Sequence, residues 1–317
     1  MSILVRRSNL IMPATELRMI RWAWNLSADA VILDLQDGIP PGELETARDT
    51  LRPAVSQVAK GGAEAFVRVN SQSVYADAAA AMCTDLTGIA VPGPEAADHI
   101  AEADEILGEL ERRSGVAVGS VEIVPSIETA AGVWHIREIL TASPRIRQVI
   151  IDEAELAASL GIVQGSDPDP FVYARGRLCI EATAAGVQPI AVADPMGLGV
   201  ENLRHEDLVQ TATDIRNLGF KGMVCSHPVW VSPINQAYTP SESLVDYYTQ
   251  VREVFAQALA AGTAAAPFAG RMIDVPVDEW AKDVLAMSAA CAARDAEKSS
   301  ALERARAWQE THGIGNQ

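Results

Sequence analysis

At 317 residues, 49% hydrophobic and 21% charged, the chain can bury one large barrel-sized core and still carry an extension. Asp and Glu outnumber Lys and Arg by 42 to 25, a formal charge of −17, which argues against nucleic-acid binding and an anionic membrane surface but allows a small anion held by a few arginines. The four cysteines (Cys83, Cys179, Cys225, Cys291) show no zinc or disulfide spacing, no apolar run reaches the ~18 residues of a membrane helix, and the amino terminus lacks a signal-peptide core, so the chain reads as cytoplasmic.

Asn9 to Met12 is a short apolar strand closed by Pro13, and Glu16 to Asn25 follows with Leu17, Ile20 and Trp24 at helical spacing. Ala30 to Leu35 is a buried strand that delivers Gln36, Asp37 and Gly38 at its end. A Pro-Pro-Gly turn then opens a helix from Glu43 to Lys60. The third strand, Ala65 to Val69, ends in Arg68-Val69-Asn70. A helix over Ala76 to Asp85, a strand over Gly88 to Pro92 and a helix over Glu95 to Arg113 continue the pattern.

Val121 to Ile127 is mostly apolar and β-branched, as a buried parallel strand should be, and it hands over to Glu128 and a helical run through Trp134 and Ile139. Barrel enzymes place catalytic and metal-binding groups at such strand ends. A place in the first turn of the next helix, favoured by its dipole, is the alternative for Glu128. The following strand, Ile146 to Ile151, also ends in acid, Asp152-Glu153-Ala154-Glu155. Two successive strands discharging carboxylates at one edge make a site for a hard cation such as Mg²⁺, which takes one or two carboxylates and completes its octahedron with water and substrate oxygens.

A Gly-, Ser-, Asp- and Pro-rich loop (Gln164 to Pro170) precedes a helix from Tyr173 to Ala185. Strands at Pro189 to Val192 and Gly222 to Cys225 flank a polar helix from His205 to Leu218. Eight strand–helix alternations over about 250 residues are the signature of a (β/α)₈ TIM barrel. The barrel domain is therefore expected over residues 1–240 and a C-terminal helical extension with a lid segment over 241–317. In that extension Ser241 to Ala261 is a helix, Gly262 to Gly270 a flexible linker of small residues, and Arg271 to Pro276 a partly extended segment bearing Asp274. A final helix or helix pair runs from Val277 to about Glu310, to pack on the barrel or reach a neighbouring subunit.

Several ordered blocks carry a resemblance: Arg6-Arg7-Ser8, Pro13 with Arg18-Met19, Ala28 through Asp37, Arg68-Val69-Asn70 and Pro125-Ser126-Ile127-Glu128-Thr129. They continue in Leu156 through Gly161, Tyr173-Ala174-Arg175, Gly219 through Gly222, His227-Pro228, Pro233-Ile234-Asn235, Tyr238 through Ser241 and Met272 through Pro276. On these the chain resembles, nearly end to end, the citrate lyase β-subunit-like proteins of the HpcH/HpaI aldolase superfamily, which includes malyl-CoA and citramalyl-CoA lyases. The resemblance implies a Mg²⁺-dependent barrel, with Mn²⁺ as a substitute, assembled as a homo-oligomer (a trimer or hexamer). It implies making or breaking a carbon–carbon bond between the enolate of an acyl thioester, on CoA or a carrier protein, and a 2-oxo acid or similar carbonyl. In that family's roles Glu128 and Glu155 are metal ligands and Arg68 stabilises the enolate. Arg68 and Arg7 contact the thioester cofactor, Asp37 lies near the metal waters, and Asp274 arrives from a neighbouring protomer as general acid/base. From the residues alone Arg68 is also read as an ion-pair partner of Asp37, and Asp274 as a helix cap.

The chain departs from the family pattern at three places. Gln36 stands where the family has Glu, Asp152-Glu153-Ala154-Glu155 where it has Gly-Ala-Glu-Asp, and Pro92-Gly93-Pro94-Glu95 where it has Pro-Lys-Val-Glu. Glu155 shifts a carboxylate by about a bond length relative to Asp. Asp152 sets charge where backbone amides attract a substrate anion. These changes point to an altered acceptor or carrier, with a thioesterase, a 2-oxo-acid aldolase or a non-catalytic barrel subunit as the alternatives.

Overall fold

The computed structural model describes residues 3–40, 42–162, 168–193 and 204–311; Gln164 to Asp167 of the expected loop lie outside them. Short runs of Ala, Val, Ile and Leu form eight parallel strands: β1 (Ser8–Pro13), β2 (Ala30–Asp34), β3 (Glu64–Arg68), β4 (Leu86–Pro92), β5 (Glu122–Ile127), β6 (Gln148–Ile151), β7 (Gln188–Val192) and β8 (Gly222–Cys225). Each pairs with the next in sequence, and Ser8–Leu10 of β1 pairs with Met223–Cys225 of β8, which closes the barrel. The (β/α)₈ expectation holds.

The helices are α1 (Leu17–Ala23), α2 (Leu44–Ala59), α3 (Val74–Ala81), α4 (Ala97–Ser114), α5 (Ala130–Trp134), α6 (Ile136–Leu140), α7 (Glu153–Leu160), α8 (Val172–Ala185), α9 (His205–Asn217) and α10 (Val231–Tyr238). Their apolar stripes pack on the outer faces of the strands in one continuous core, with Leu51, Val55, Ile100 and Leu107 fully buried. Expected boundaries hold to within a few residues, with two differences of substance. The run after Glu128 breaks at His135 into α5 and α6, and α10 was not anticipated. Pro233 looks like a breaker in sequence but sits in the first turn of α10, where a missing N–H costs nothing.

Strand alternation stacks the barrel interior in layers. In β2 the inward set is Ala30, Ile32 and Asp34; in β3 it is Glu64, Phe66 and Arg68; in β6 it is Gln148 and Ile150, continued by Asp152. The middle layer is apolar: Ala30, Ile32, Phe66, Ala90, Val124, Ile150, Ile190 and Val224. Gly88 makes room for it, since a Cβ there would lie 2.8 Å from the Phe66 ring and 2.7 Å from the Glu122 carbonyl. Below lies a charged floor, where the fully buried Arg6 grips Glu64 and Glu122 (Nη1 to Glu122 Oε2, 2.6 Å). Above it is the mouth.

The extension begins with α11 (Glu242–Ala260), capped by Ser241. The linker is more ordered than its composition suggests: β9 (Ala266–Phe268) and β10 (Arg271–Ile273) form a hairpin around Ala269 and Gly270, both at positive φ as a mirror-image turn requires. The final helix is a single one, α12 (Val275–Thr311). Its first half packs on α11 in a small second core of Tyr248, Val251, Phe255, Ile273 and Ala281. Its second half is latched to the barrel floor, with Lys298 Nζ donating to Ser27 O at 2.9 Å and Arg294 to Asp29 O at 2.7 Å.

Candidate active site

The mouth layer gathers Asp34, Arg68, Glu128 and Asp152, each set there by strand parity. Arg68 is the hub. Its Nη1 donates to Asp37 Oδ2 at 2.6 Å and reaches Asp34 Oδ2 at 3.4 Å, while Nη2 donates to Glu128 Oε1 at 3.1 Å. The Nε–H is buried and finds no acceptor among the described residues. Burial pulls against the charged guanidinium, but Asp34, Glu128, Asp37 and Asp152 together hold it firmly protonated. The predicted ion pair between Arg68 and Asp37 is present.

Glu128 lies just past β5, its side chain only 12% exposed. The turn after β4 closes on it: Gly93, at φ +56, leaves 3.3 Å between a would-be Cβ and Glu128 Oε2. Burial pushes the Glu128 carboxyl up to about 7; Arg68 and a hydrogen bond with Ser126 oppose this, and Asp152 and Glu155 add to it. Burial likewise raises Asp34, against the pull of Arg68 and of the Gln36 and Asp37 amides. Gln36 itself turns away, its Oε1 accepting from the Ser71 amide at 3.0 Å.

The acidic run after β6 divides three ways. Asp152 continues the inward row and caps α7, its Oδ1 accepting from the amides of Ala154 at 3.1 Å and Glu155 at 3.3 Å. Glu153 is buried on the outer side, bound by Arg175, which also pairs with Asp169. Glu155 is exposed in the first turn of α7, close enough to add to the charge felt by Glu128.

Two expected site residues lie elsewhere. Arg7 precedes β1, at the opposite end of the barrel. It forms a two-pronged pair with Asp29 (Nε to Oδ2, 2.8 Å; Nη2 to Oδ1, 3.0 Å) and also bonds Asp295 of α12 and Thr239. Its side chain is 3% exposed, so the reading of Arg7 as a cofactor contact is corrected: it clamps the extension to the floor. Asp274 stands between β10 and α12, where its Oδ1 accepts from the Val277 amide at 3.3 Å as a helix cap, and it makes no contact with the Arg68 cluster. Sequence reading passed over Asp34, and it placed Asp152 beside substrate-binding amides without setting it on the inward row. Counting by twos from Ala30 and from Gln148 would have found both.

Among the described residues no group of three or more His, Cys, Asp or Glu side chains forms a ready-made metal centre. The donor set nevertheless fits Mg²⁺. Glu128 is a buried oxygen donor crowded by further carboxylates, a divalent cation would relieve that crowding, and Mg²⁺ needs only one or two carboxylates.

Residues 7–228 match the family model described as HpcH/HpaI aldolase/citrate lyase. The chain belongs to the HpcH/HpaI aldolase/citrate lyase family. It is 27% identical over 288 residues to the citrate lyase subunit beta of Leuconostoc mesenteroides subsp. cremoris, covering 90% of this chain and 93% of that one. With the mitochondrial citramalyl-CoA lyase of Rattus norvegicus the identity is 25% over 297 residues, covering 89% and 86%. Among solved structures, the protein CitE of Mycobacterium tuberculosis in complex with magnesium, acetoacetate and coenzyme A superposes with a TM-score of 0.68 at 25% identity, covering 90% of this chain and 98% of that chain. As a member of the HpcH/HpaI family, the chain has its matched segment ending at Pro228, so α10, α11 and α12 lie beyond it.

Proposed function

We propose that this protein is a Mg²⁺-dependent carbon–carbon lyase that cleaves a hydroxyacyl thioester into an acyl thioester and a carbonyl compound through an enolate, or runs the reverse condensation. The observation that carries this reading is the Arg68–Glu128 pair at 3.1 Å at the carboxyl end of the barrel, in a chain whose family relatives are named as lyases. Arg68 is fixed by three carboxylates, and its charge is held beside Glu128, where the enolate oxygen would develop. Glu128 and Glu155 are the side chains that would hold the cation, with Asp37 as a further carboxylate of the cluster on Arg68. When bound, Mg²⁺ supplies Lewis-acid stabilisation of the developing oxyanion. Asp274 comes from a neighbouring protomer as general acid/base, consistent with its place beside the exposed hairpin residue Met272.

A homo-oligomer, a trimer or hexamer, is part of this reading. It draws support from exposed apolar side chains on neighbouring α5 and α8 (Trp134, Val172, Tyr173 and Ile180). The four cysteines are free thiols, which suits a cytoplasmic setting, and no helix among the described residues is long and apolar enough to cross a membrane.

Calorimetric titration of Mg²⁺, with and without acetyl-CoA, tests the site. Wild type binds the ion, and Glu128→Ala loses both binding and thioester turnover. A Glu128→Ala variant that retains full activity sinks the reading.

A further inference from the structure

The end of the barrel away from Arg68 carries a cavity of about 540 Å³, a size typical of small-molecule sites, between the floor and the extension. Its barrel wall includes Arg216 and Lys221, where α9 turns into β8, and Tyr238 at the end of α10. Its other wall is the extension, with Leu244 of α11 and Trp280 and Met287 of α12. Trp280 is 59% exposed and Leu244 38%, so the apolar side of the cavity is open to an occupant.

Folding leaves polar groups of this wall unused. Tyr238 is 7% exposed, and its hydroxyl has no hydrogen-bond partner among the described residues. Such a group is costly to bury, and a ligand atom that bonds it recovers the cost. Burial pushes the phenol up against the pull of nearby Arg216, so at neutral pH it keeps its proton and can donate. Arg6 and Arg7 also border the cavity, but Glu64, Glu122, Asp29 and Asp295 consume them. Arg216 differs. Among the described residues it is half-buried and bonds only neutral groups, the Ala237 carbonyl and the Asn217 side chain. Lys221 pairs with no carboxylate among the described residues, and Asp283 is the one acidic side chain in the lining. Two uncommitted cations against one carboxylate leave a single positive charge, in a chain whose formal charge is −17.

We propose that this cavity is a second ligand site, separate from the mouth, that binds an aromatic monocarboxylate. Arg216 and Lys221 take the carboxylate, the Tyr238 hydroxyl donates to it, and the ring lies among Leu244, Trp280 and Met287. A single surplus positive charge matches a monoanion better than a phosphate dianion, and the fork of a guanidinium matches the two oxygens of a carboxylate. Because the walls come from both the barrel and the extension, the bound ligand ties the first half of α12 to the floor. The site shares no residue with the Arg68 cluster and stands independently of the lyase reading.

Calorimetric titration of the full chain with 2-naphthoate tests it. Wild type should bind one equivalent with a Kd below about 1 mM, and the neutral analogue 2-naphthamide should bind at least about tenfold more weakly. Tyr238→Phe and Arg216→Met should each weaken 2-naphthoate at least about tenfold, the scale of a lost hydrogen bond to a charged group. Tyr238→Phe should melt no lower than wild type, since the hydroxyl it removes bonds nothing among the described residues, so its loss of affinity is not a loss of fold. Glu128→Ala, altered only in the mouth, should bind 2-naphthoate as wild type does. Absence of binding, or binding that Tyr238→Phe and Arg216→Met leave unmoved, overturns the proposal. So does binding that Glu128→Ala abolishes, because the probe would then sit in the mouth.

Discussion

Arg68 and Arg145 show how single side chains are used in this protein. Both are buried guanidiniums ringed by carboxylates, yet among the described residues one donor of Arg68 has no acceptor, while Arg145 spends itself on structure. Arg145 makes a two-pronged pair with Glu111 of α4 (2.7 and 2.8 Å) and also bonds Asp104. Glu111 accepts in addition from the amides of Gly119 and Val121, each at 2.8 Å, which knots the end of α4 to the start of β5. Burial pushes the Glu111 carboxyl up, but Arg145 and the two amides outweigh it and hold it below the ordinary 4.5. A depressed folded pKa means stability that is present above the unfolded value and lost as pH falls through the folded one. Glu111→Gln should therefore cost about 1.5–3 kcal/mol at pH 7, the range for hydrogen bonds to charged groups. Its gap from wild type should narrow below about pH 4.5. Urea melts across that range check this; a gap that widens on acidification contradicts the assignment.

At the scale of elements, α12 does two jobs with its two halves. The first half completes a small core with α11 and the hairpin, and the second half is latched to the floor through Arg7, Asp29, Asp295 and Lys298. Lys298 is 4% exposed, and its ammonium also donates to the carbonyl of Ser27, a residue held at φ +56. Among the described residues, Lys298→Met leaves Asp29 paired with Arg7 alone and that carbonyl bonded only by Asn235. The expected loss is about 1.5–3 kcal/mol. Hydrogen exchange should locate it, with protection falling first across residues 294–311 while the strands stay protected. Uniform loosening of barrel and helix would argue that α12 and the floor are one cooperative unit.

At the scale of the whole molecule, the site described in one chain contains Arg68 and Glu128 but not Asp274. If Asp274 serves a neighbour, a mixed oligomer of Glu128→Ala and Asp274→Asn gathers both defects in some sites and leaves others with neither. Asp274→Asn alone should be at least about a hundredfold down, the usual contribution of a general acid or base, and Glu128→Ala alone should lose turnover together with its metal. Hybrids co-expressed and purified through two tags should regain a measurable part of wild-type turnover. Hybrids as inactive as their parents would place Asp274 in its own subunit's site or outside catalysis.

Much of this was legible in the residues themselves. Parallel barrel strands are buried on both faces and so read as unbroken apolar runs, which is why all eight strands, their order and the acidic ends of two of them could be read directly. Local chemistry also spoke for Arg68 beside Asp37 and for Asp274 as a cap, because those contacts depend on strand parity and on neighbours a few residues away. What sequence could not decide were choices between distant partners. Arg7 and Arg68 are equally plausible cations on paper. Only the closed barrel sends one to the floor, against Asp29 and a helix nearly the whole chain away, and the other to the mouth. Likewise Asp152, Glu153 and Glu155 form one acidic run until β6 ends and α7 begins, and that change of period, from two to 3.6, turns them in three different directions. Composition and pattern determined the architecture because burial acts on every residue of a strand; closure of the barrel decided the site, because an ion pair depends on where its partner is.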